Sequence, residues 1–517
     1  MEAYPEDDGA KCQPNADDEG CEDEKTILLR HPADRAQIEA EMEDLLNAVP
    51  RIKDEYTLLD RLGEGTFSSV YKAIDLNHTH YYNCPWLQSF RSPFPAPRPA
   101  KYYVALKRIY VTSSPSRIAN EISILEDCRG CRHVSQIITA FRCKDQVVAV
   151  MPYCKHVDFR EFYQILTIPG IQAYCQCLFR ALRDIHGRGI VHRDVKPANF
   201  LFNPADRIGT LCDFGLAQRI ESDITSTCLH TSPNHLGPHG RHKTVKENQK
   251  IRIKEKMLDA RRKSASTSDR VGVPAEETRP SIKTNRAGTR GFRAPEVLLK
   301  CPDQSAALDI WSAGTILLTI LACKFPVFTA SDDVEALMEL AAVFGRRTME
   351  RCARLHNRTF ATNVPSVDHP EITWAELVNR INPTSATQEL PTVRSSTHNL
   401  LVKSAVDLMS KCLHWDPTQR ITARDALYHP FLAMDKEDRI TEDDRDYPHP
   451  FGCGVCGDLH FRDELTDEPC ILVPVEKQTI PKTLQSGEGI AIGVEPCAFH
   501  QLGSMGTRVP VGGRIEE

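Results

Sequence analysis

The chain has no long apolar run. Its longest, Ile310 to Cys323, is broken by Ser312 and Gly314 and falls short of the roughly 20 residues that a membrane-spanning helix needs. It reads as a buried helix, and no membrane association is expected. A basic, apolar leader is also lacking, because residues 1–25 carry ten acidic and two basic side chains. No secretory signal is therefore expected, and residues 1–33 read as an acidic, disordered tail. A reducing compartment follows, in which the 19 cysteines are buried thiols or metal ligands rather than disulfides. The net charge of −6 says little about partners, since it averages a strong local asymmetry. The basic run from Arg241 to Lys263, ten Lys or Arg against three Asp or Glu, lacks interleaved aromatics. Direct nucleic-acid binding is not expected from it. As an address, Arg261-Arg-Lys263 has the composition of a nuclear import signal, which places the chain in the nucleus.

What is present is organised around Ile190-Val-His-Arg-Asp-Val-Lys-Pro-Ala-Asn-Phe-Leu-Phe202. This stretch puts a carboxylate, an ammonium and an amide on one loop between apolar flanks. Asp194 can accept the proton of an attacking hydroxyl, Lys196 can neutralise charge on a transferring phosphate, and Asn199 can take a metal ion. Upstream, helical spacing from Asp34 to Val49 leads into a strand at Tyr56 to Leu62. There follows Gly63-Glu-Gly-Thr-Phe-Ser-Ser-Val70, a hairpin whose glycines let backbone approach a ligand. Strands are expected at Tyr103-Val-Ala-Leu-Lys107 and Gln146 to Tyr153, with a helix from Arg117 to Cys128 between them. An inward Lys107 needs a carboxylate partner, and Glu121 on that helix is the candidate. Asp213 in Asp213-Phe-Gly215 would be a second metal ligand. Order returns after the basic run at Gly288-Thr-Arg-Gly-Phe-Arg-Ala-Pro-Glu296, and a second irregular segment occupies about 346–400.

In this order and spacing the motifs resemble a eukaryotic serine/threonine protein kinase. Further details are similar to the cell-division-cycle-seven kinases: Val-Lys-Pro-Ala-Asn-Phe200, Arg-Ala-Gly-Thr-Arg-Gly-Phe-Arg-Ala-Pro-Glu296, Ser-Asp-Asp333 near Phe328, and two long insertions. The resemblance implies an α+β, bilobal fold. The small β-rich N-lobe would span 34–153, with an insertion at about 77–100. The large helical C-lobe would span 154–432, with insertions at about 219–283 and 346–400, and residues 433–517 would be a C-terminal extension. It also implies ATP and Mg²⁺ as cofactors, with nucleotide contacts from Leu62, Gly63, Glu64, Gly65, Thr66, Phe67, Ser68, Ser69, Val70, Lys107, Glu121, Met151 and Tyr153. Asn199 and Asp213 would hold Mg²⁺; Asp194 and Lys196 would be catalytic. Glu296 and Arg420 would form a buried ion pair that braces the large lobe. The resemblance further implies an activating regulatory subunit and substrates among the subunits of the replicative helicase. Two alternatives are a cell-cycle kinase active alone and a pseudokinase scaffold. The intact Lys107, Asp194, Asn199 and Asp213 argue against the scaffold.

Two further expectations come from residue chemistry. Arg286, Arg290 and Arg293 surround Thr289, where the residue following a target hydroxyl would lie, and guanidinium groups there favour an acidic or phosphorylated neighbour. In the tail, Cys453-x-x-Cys456 and Cys497-x-x-His500 have the side-chain types and local spacing of a Zn²⁺ site, with His460 and Cys470 as alternative ligands. The other reading is unliganded cysteines in a flexible tail.

Overall fold

The computed structural model describes residues 26–65, 68–78, 101–110, 114–129, 131–220, 254–262, 285–383, 396–432, 460–462, 469–475 and 478–483. It divides into two compact units. One holds the described residues up to Ile118 together with Ile137–Tyr153; the other holds Ala119–Gln136 and the described residues from Cys154 onward.

The first unit is built on a five-stranded antiparallel sheet of β1 (Tyr56–Glu64), β2 (Ser68–Asp75), β3 (Tyr103–Ile109), β4 (Thr139–Cys143) and β5 (Gln146–Pro152), in the order β1-β2-β3-β5-β4. Val104, Leu106, Val148 and Val150 face one apolar cluster with Tyr56, Tyr71 and Ala73. Helix α1 (Pro32–Ala48) contributes Leu45 to that cluster, and Val49 and Ile52 just beyond the helix join it. The helix starts where Pro32 pre-sets the first turn. Lys72 on β2 is fully buried; its Nζ lies 4.7 Å from the ring centroid of Tyr103 and 4.3 Å from that of Tyr153, so two aromatic faces replace part of its hydration.

The second unit is mainly helical. Helix α2 (Pro115–Asp127) crosses the division after Ile118, so Glu121 belongs with this unit. The core is formed by α3 (Ile168–Gly187), capped by the Thr167 side chain, and by α4 (Ala307–Leu321), buried along its whole length. Gly314 of α4 sits where a Cβ would come within 2.7 Å of Cys412 Cβ, at the crossing with α7 (Ser396–Cys412). Trp311, Trp374, Trp415 and Phe344 pack their rings 4.2–5.7 Å apart. Arg420 donates to Glu296 at 2.7 and 3.0 Å and to the carbonyls of Ala307 and His414, which makes the expected buried ion pair.

Three expectations are revised. The segment 346–400 is not irregular throughout: α5 (Asp333–Leu355) runs into it, and α6 (Trp374–Ile381) lies within it. The helical spacing from Leu337 to Phe344 stops at a kink, where Gly345 has φ 81° and the helix resumes because Thr348, Met349, Cys352 and Ala353 bury one face. The Thr373/Glu376 capping box then starts α6. The basic run reads from its charge as a solvated loop, but within it residues 254–262 form a helix with Ala260 buried and Arg261 Nε and Nη2 donating to Glu350. The tail holds an antiparallel sheet of β10 (His460–Arg462), β11 (Pro469–Val475) and β12 (Gln478–Thr483); the run Ile471-Leu-Val473 was its signal.

Candidate active site

Two short antiparallel pairs carry the central loop. Strand β6 (Ile190–Val191) pairs with β9 (Gln218–Arg219), and β7 (Phe200–Asn203) pairs with β8 (Ile208–Leu211). Residues 192–199 are thus held between β6 and β7, and Asp213-Phe-Gly215 between β8 and β9. Asp309, fully buried on α4, accepts the backbone N–H groups of His192 and Arg193 at 2.8 Å each and bonds His186 Nε2 at 3.0 Å. Burial pushes its carboxyl up, but the bonds to His186 and His192 outweigh burial and hold it below the ordinary range. Within the loop, the Asp194 N–H donates to His192 Nδ1 at 3.3 Å, which leaves Nε2 to donate to the Cys212 carbonyl at 3.0 Å. That bond ties the loop to the residue preceding Asp213. Arg193 (φ 71°) and Asp213 (φ 63°) both lie in the left-handed region, a strain that persists only where surroundings over-determine it.

Asp194 is buried, and each of its carboxylate oxygens accepts two hydrogen bonds. Oδ2 accepts from Lys196 Nζ at 2.8 Å and Asn199 Nδ2 at 3.0 Å; Oδ1 accepts from the Thr289 N–H at 2.8 Å and its hydroxyl at 2.7 Å. Lys196 also donates to the Thr289 hydroxyl at 3.0 Å, and Asn199 Nδ2 to the Asp194 carbonyl at 2.9 Å. Glycine is required next to Thr289: Gly288 has φ 108°, and a Cβ there would meet the Arg193 carbonyl at 2.4 Å. Gly215 is the other tight point, since a Cβ would lie 3.3 Å from both Asp213 Oδ1 and Glu121 Oε2. Two carboxylates therefore converge there.

The first unit holds the residues singled out for nucleotide contact other than Glu121. Val70, Lys107 and Ala149 are neighbours across the sheet, as are Ala105 and Met151. Lys107 is buried. The Gly65 N–H closes the hairpin onto the Ser68 carbonyl at 2.8 Å, the Ser69 hydroxyl pairs with Tyr110, and the Tyr153 N–H donates to the Tyr103 carbonyl. Leu62, Gly63 and Glu64 lie on β1. Thr66 and Phe67 lie outside the described residues, as do Cys453, Cys456, Cys497 and His500 of the zinc reading. Among the described residues there is no group of three or more His, Cys, Asp or Glu side chains able to hold a metal. Asp213 and the Asn199 amide oxygen are hard oxygen donors, and one or two such ligands plus substrate phosphates are what Mg²⁺ takes.

A family model for the protein kinase domain matches residues 97–247 and 271–432. The chain is 39% identical over 427 residues to the cell cycle serine/threonine-protein kinase hsk1 of Schizosaccharomyces pombe, covering 80% of this chain and 79% of that relative. It is 35% identical to a probable cell division control protein 7 homolog of Encephalitozoon cuniculi, covering 76% and 95%. With a cell division cycle 7-related protein kinase of Mus musculus it shares 29%, covering 64% and 74%. The chain belongs to the cell-division-cycle-seven family of protein kinases. It has that fold, with a β-sheet unit and a helical one, and it is a serine/threonine kinase. The family match begins after the glycine-rich hairpin; in this kinase the sheet register supplies that part.

Arg286, Arg290 and Arg293 of the kinase differ in their surroundings. Arg286 Nη1 bonds Asp333 Oδ2 at 2.9 Å, and Arg293 bonds Asp333 Oδ1 and, through Nε, the Gly288 carbonyl at 2.8 Å. Arg290 is exposed. Reading the sequence missed Asp309 as the anchor of the loop and Asp333 as the partner of the arginines. The pair Asp332-Asp333 ahead of a periodic apolar pattern was a legible helix start; its second use was not. No helix among the described residues is long and apolar enough to cross a membrane.

Proposed function

We propose that this kinase transfers the γ-phosphate of ATP to serine or threonine hydroxyls followed by an acidic or phosphorylated residue, in subunits of the replicative helicase, within the nucleus and together with an activating regulatory subunit. The observation that carries the reading is the Asp194 carboxylate, held by Lys196, Asn199 and Thr289. A hydroxyl brought to Asp194 is oriented by it and gives up its proton to it late, as the new O–P bond forms and the bond to the β-phosphate oxygen breaks. Lys196 neutralises the charge that develops on the transferring group. Thr289 holds both side chains in place through one hydroxyl, which donates to Asp194 and accepts from Lys196. Asn199 and Asp213 would hold Mg²⁺, which supplies charge neutralisation to the phosphate oxygens. The hairpin at Gly63 to Val70, Lys107, Met151 and Tyr153 would bind the nucleotide, with Glu121 as the partner of Lys107.

The helicase substrates and the regulatory subunit rest on family resemblance and on the cell-cycle names of the relatives. The test is phosphate transfer to purified helicase subunits by the chain alone and with its regulatory subunit, with Asp194→Asn as control. Transfer that needs the partner is expected, and Asp194→Asn should lower it about 10²–10⁴-fold, the range of a general base. Full activity of the isolated chain would remove the partner; a nucleotide-binding but inactive complex would turn the reading to a scaffold.

A further inference from the structure

The guanidinium groups of Arg286 and Arg293, offered above to the residue that follows the target hydroxyl, already share one carboxylate of their own chain. Asp333 bonds Arg286 through Oδ2 and Arg293 through Oδ1. Two observations show that Asp333 is fixed independently of them. It is the first residue of the 23-residue helix α5, whose N-cap Asp332 accepts from Val334 N–H and Glu335 N–H, and the positive end of a helix favours a carboxylate there. The segment leading to it is packed on the arginine-bearing segment by backbone, since a Cβ on Gly291 would come within 2.9 Å of the Phe328 carbonyl.

One carboxylate does not neutralise two guanidiniums. Arg293 commits Nε to Gly288 and one edge to Asp333, while Arg286 commits a single Nη1. Most of their N–H groups stay uncommitted among the described residues, and the fork geometry fixes the directions in which these can be offered. We infer that Asp333 is a positioning residue for substrate selection: it orients Arg286 and Arg293 so that an anionic side chain following the target hydroxyl is recognised. This rests on the substrate reading above and deepens it. The opposite sign is physically available. If Asp333 only competed with the substrate anion for the arginines, its removal would strengthen selection.

The experiment measures kcat and KM of the full-length kinase, with its regulatory subunit, on two peptides that differ only in Glu or Ala after the serine. Asp333→Asn should cut the wild-type Glu/Ala selectivity on the order of tenfold, the scale of one charge-assisted hydrogen bond, with the loss carried by KM for the Glu peptide. Asp333→Glu should recover part of it. Asp333→Ser, which suits a helix start, should repeat the direction of Asp333→Asn if that variant folds poorly. Adding Asp333→Asn to Arg286→Gln should cost less than the two single losses combined, because the two act through one contact. A selective wild type whose selectivity survives or rises in Asp333→Asn overturns the role of Asp333 alone. A wild type that turns over both peptides equally overturns the substrate reading, and the role of Asp333 with it.

Discussion

Two arginine–carboxylate clusters in the helical unit use the same chemistry to different ends. Arg420 and Glu296 are 0% and 2% exposed, and the Arg420 guanidinium donates to Glu296 and to the carbonyls of Ala307 and His414 and lies over the Trp311 ring. Arg286 is 49% exposed and shares Asp333 with Arg293. Where both charges are desolvated, the pair is a brace, because neither can be left alone at low cost. Where two guanidiniums, one of them half in water, share one carboxylate, positive charge is left over for an incoming anion. Burial, rather than the identity of the paired groups, separates the structural cluster from the one proposed to select substrates.

The strongest way to break this comparison is to remove Arg420. Arg420→Gln leaves Glu296 buried without its charge partner, and about 3–5 kcal/mol of stability should be lost, read from denaturant midpoints at unchanged slope. A loss below about 1 kcal/mol would mean that the cluster is no brace.

The next test is pH. Burial pushes the Glu296 carboxyl up, but the Arg420 guanidinium outweighs it and holds the group below the ordinary carboxylate range. A depressed carboxyl contributes stability that is present above its unfolded pKa, about 4.3, and lost as pH falls through the folded value. Asp309, held down by His186 and His192, acts in the same direction. In Arg420→Gln the sign for Glu296 reverses: burial becomes its dominant influence, and protonation relieves it. The stability gap between wild type and variant should therefore narrow as pH falls from 7 to 4. A gap that stays constant would show that removing Arg420 does not raise the pKa of Glu296.

The same distinction explains what the sequence made legible. Asp194, Lys196 and Asn199 lie within six residues, so their joint chemistry is written in spacing alone, and the structure places them on one carboxylate. Glu296 and Arg420 were recognisable because each sits in a motif. The partnership of Arg293 with Asp333 spans forty positions, and the anchoring of His192 by Asp309 spans 117; no periodicity carries such contacts. Elements failed for local reasons. Gly345 interrupted a helical pattern that tertiary burial of Met349 and Cys352 continues, and the helix over 254–262 is too polar to announce itself except through Ala260 and the Arg261–Glu350 pair.

The smallest effect is the sharpest, because it separates a receptor from a brace. Asp333→Asn removes the carboxylate charge from a cluster in which Arg286 keeps half its surface in water, while Arg293, 16% exposed, retains the Gly288 carbonyl as an acceptor and an Asn oxygen in place of the carboxylate. The Arg286–Asp333 pair, exposed on the arginine side, contributes about 0–1 kcal/mol, and Asn is itself acceptable at a helix start. The variant should therefore unfold within about 1 kcal/mol of wild type, in the same denaturant assay that shows the large loss for Arg420→Gln, while its peptide selectivity falls. A loss of 3 kcal/mol or more would place Asp333 beside Glu296 as a structural anion. The difference between the two clusters would then be one of position in the fold and not of task.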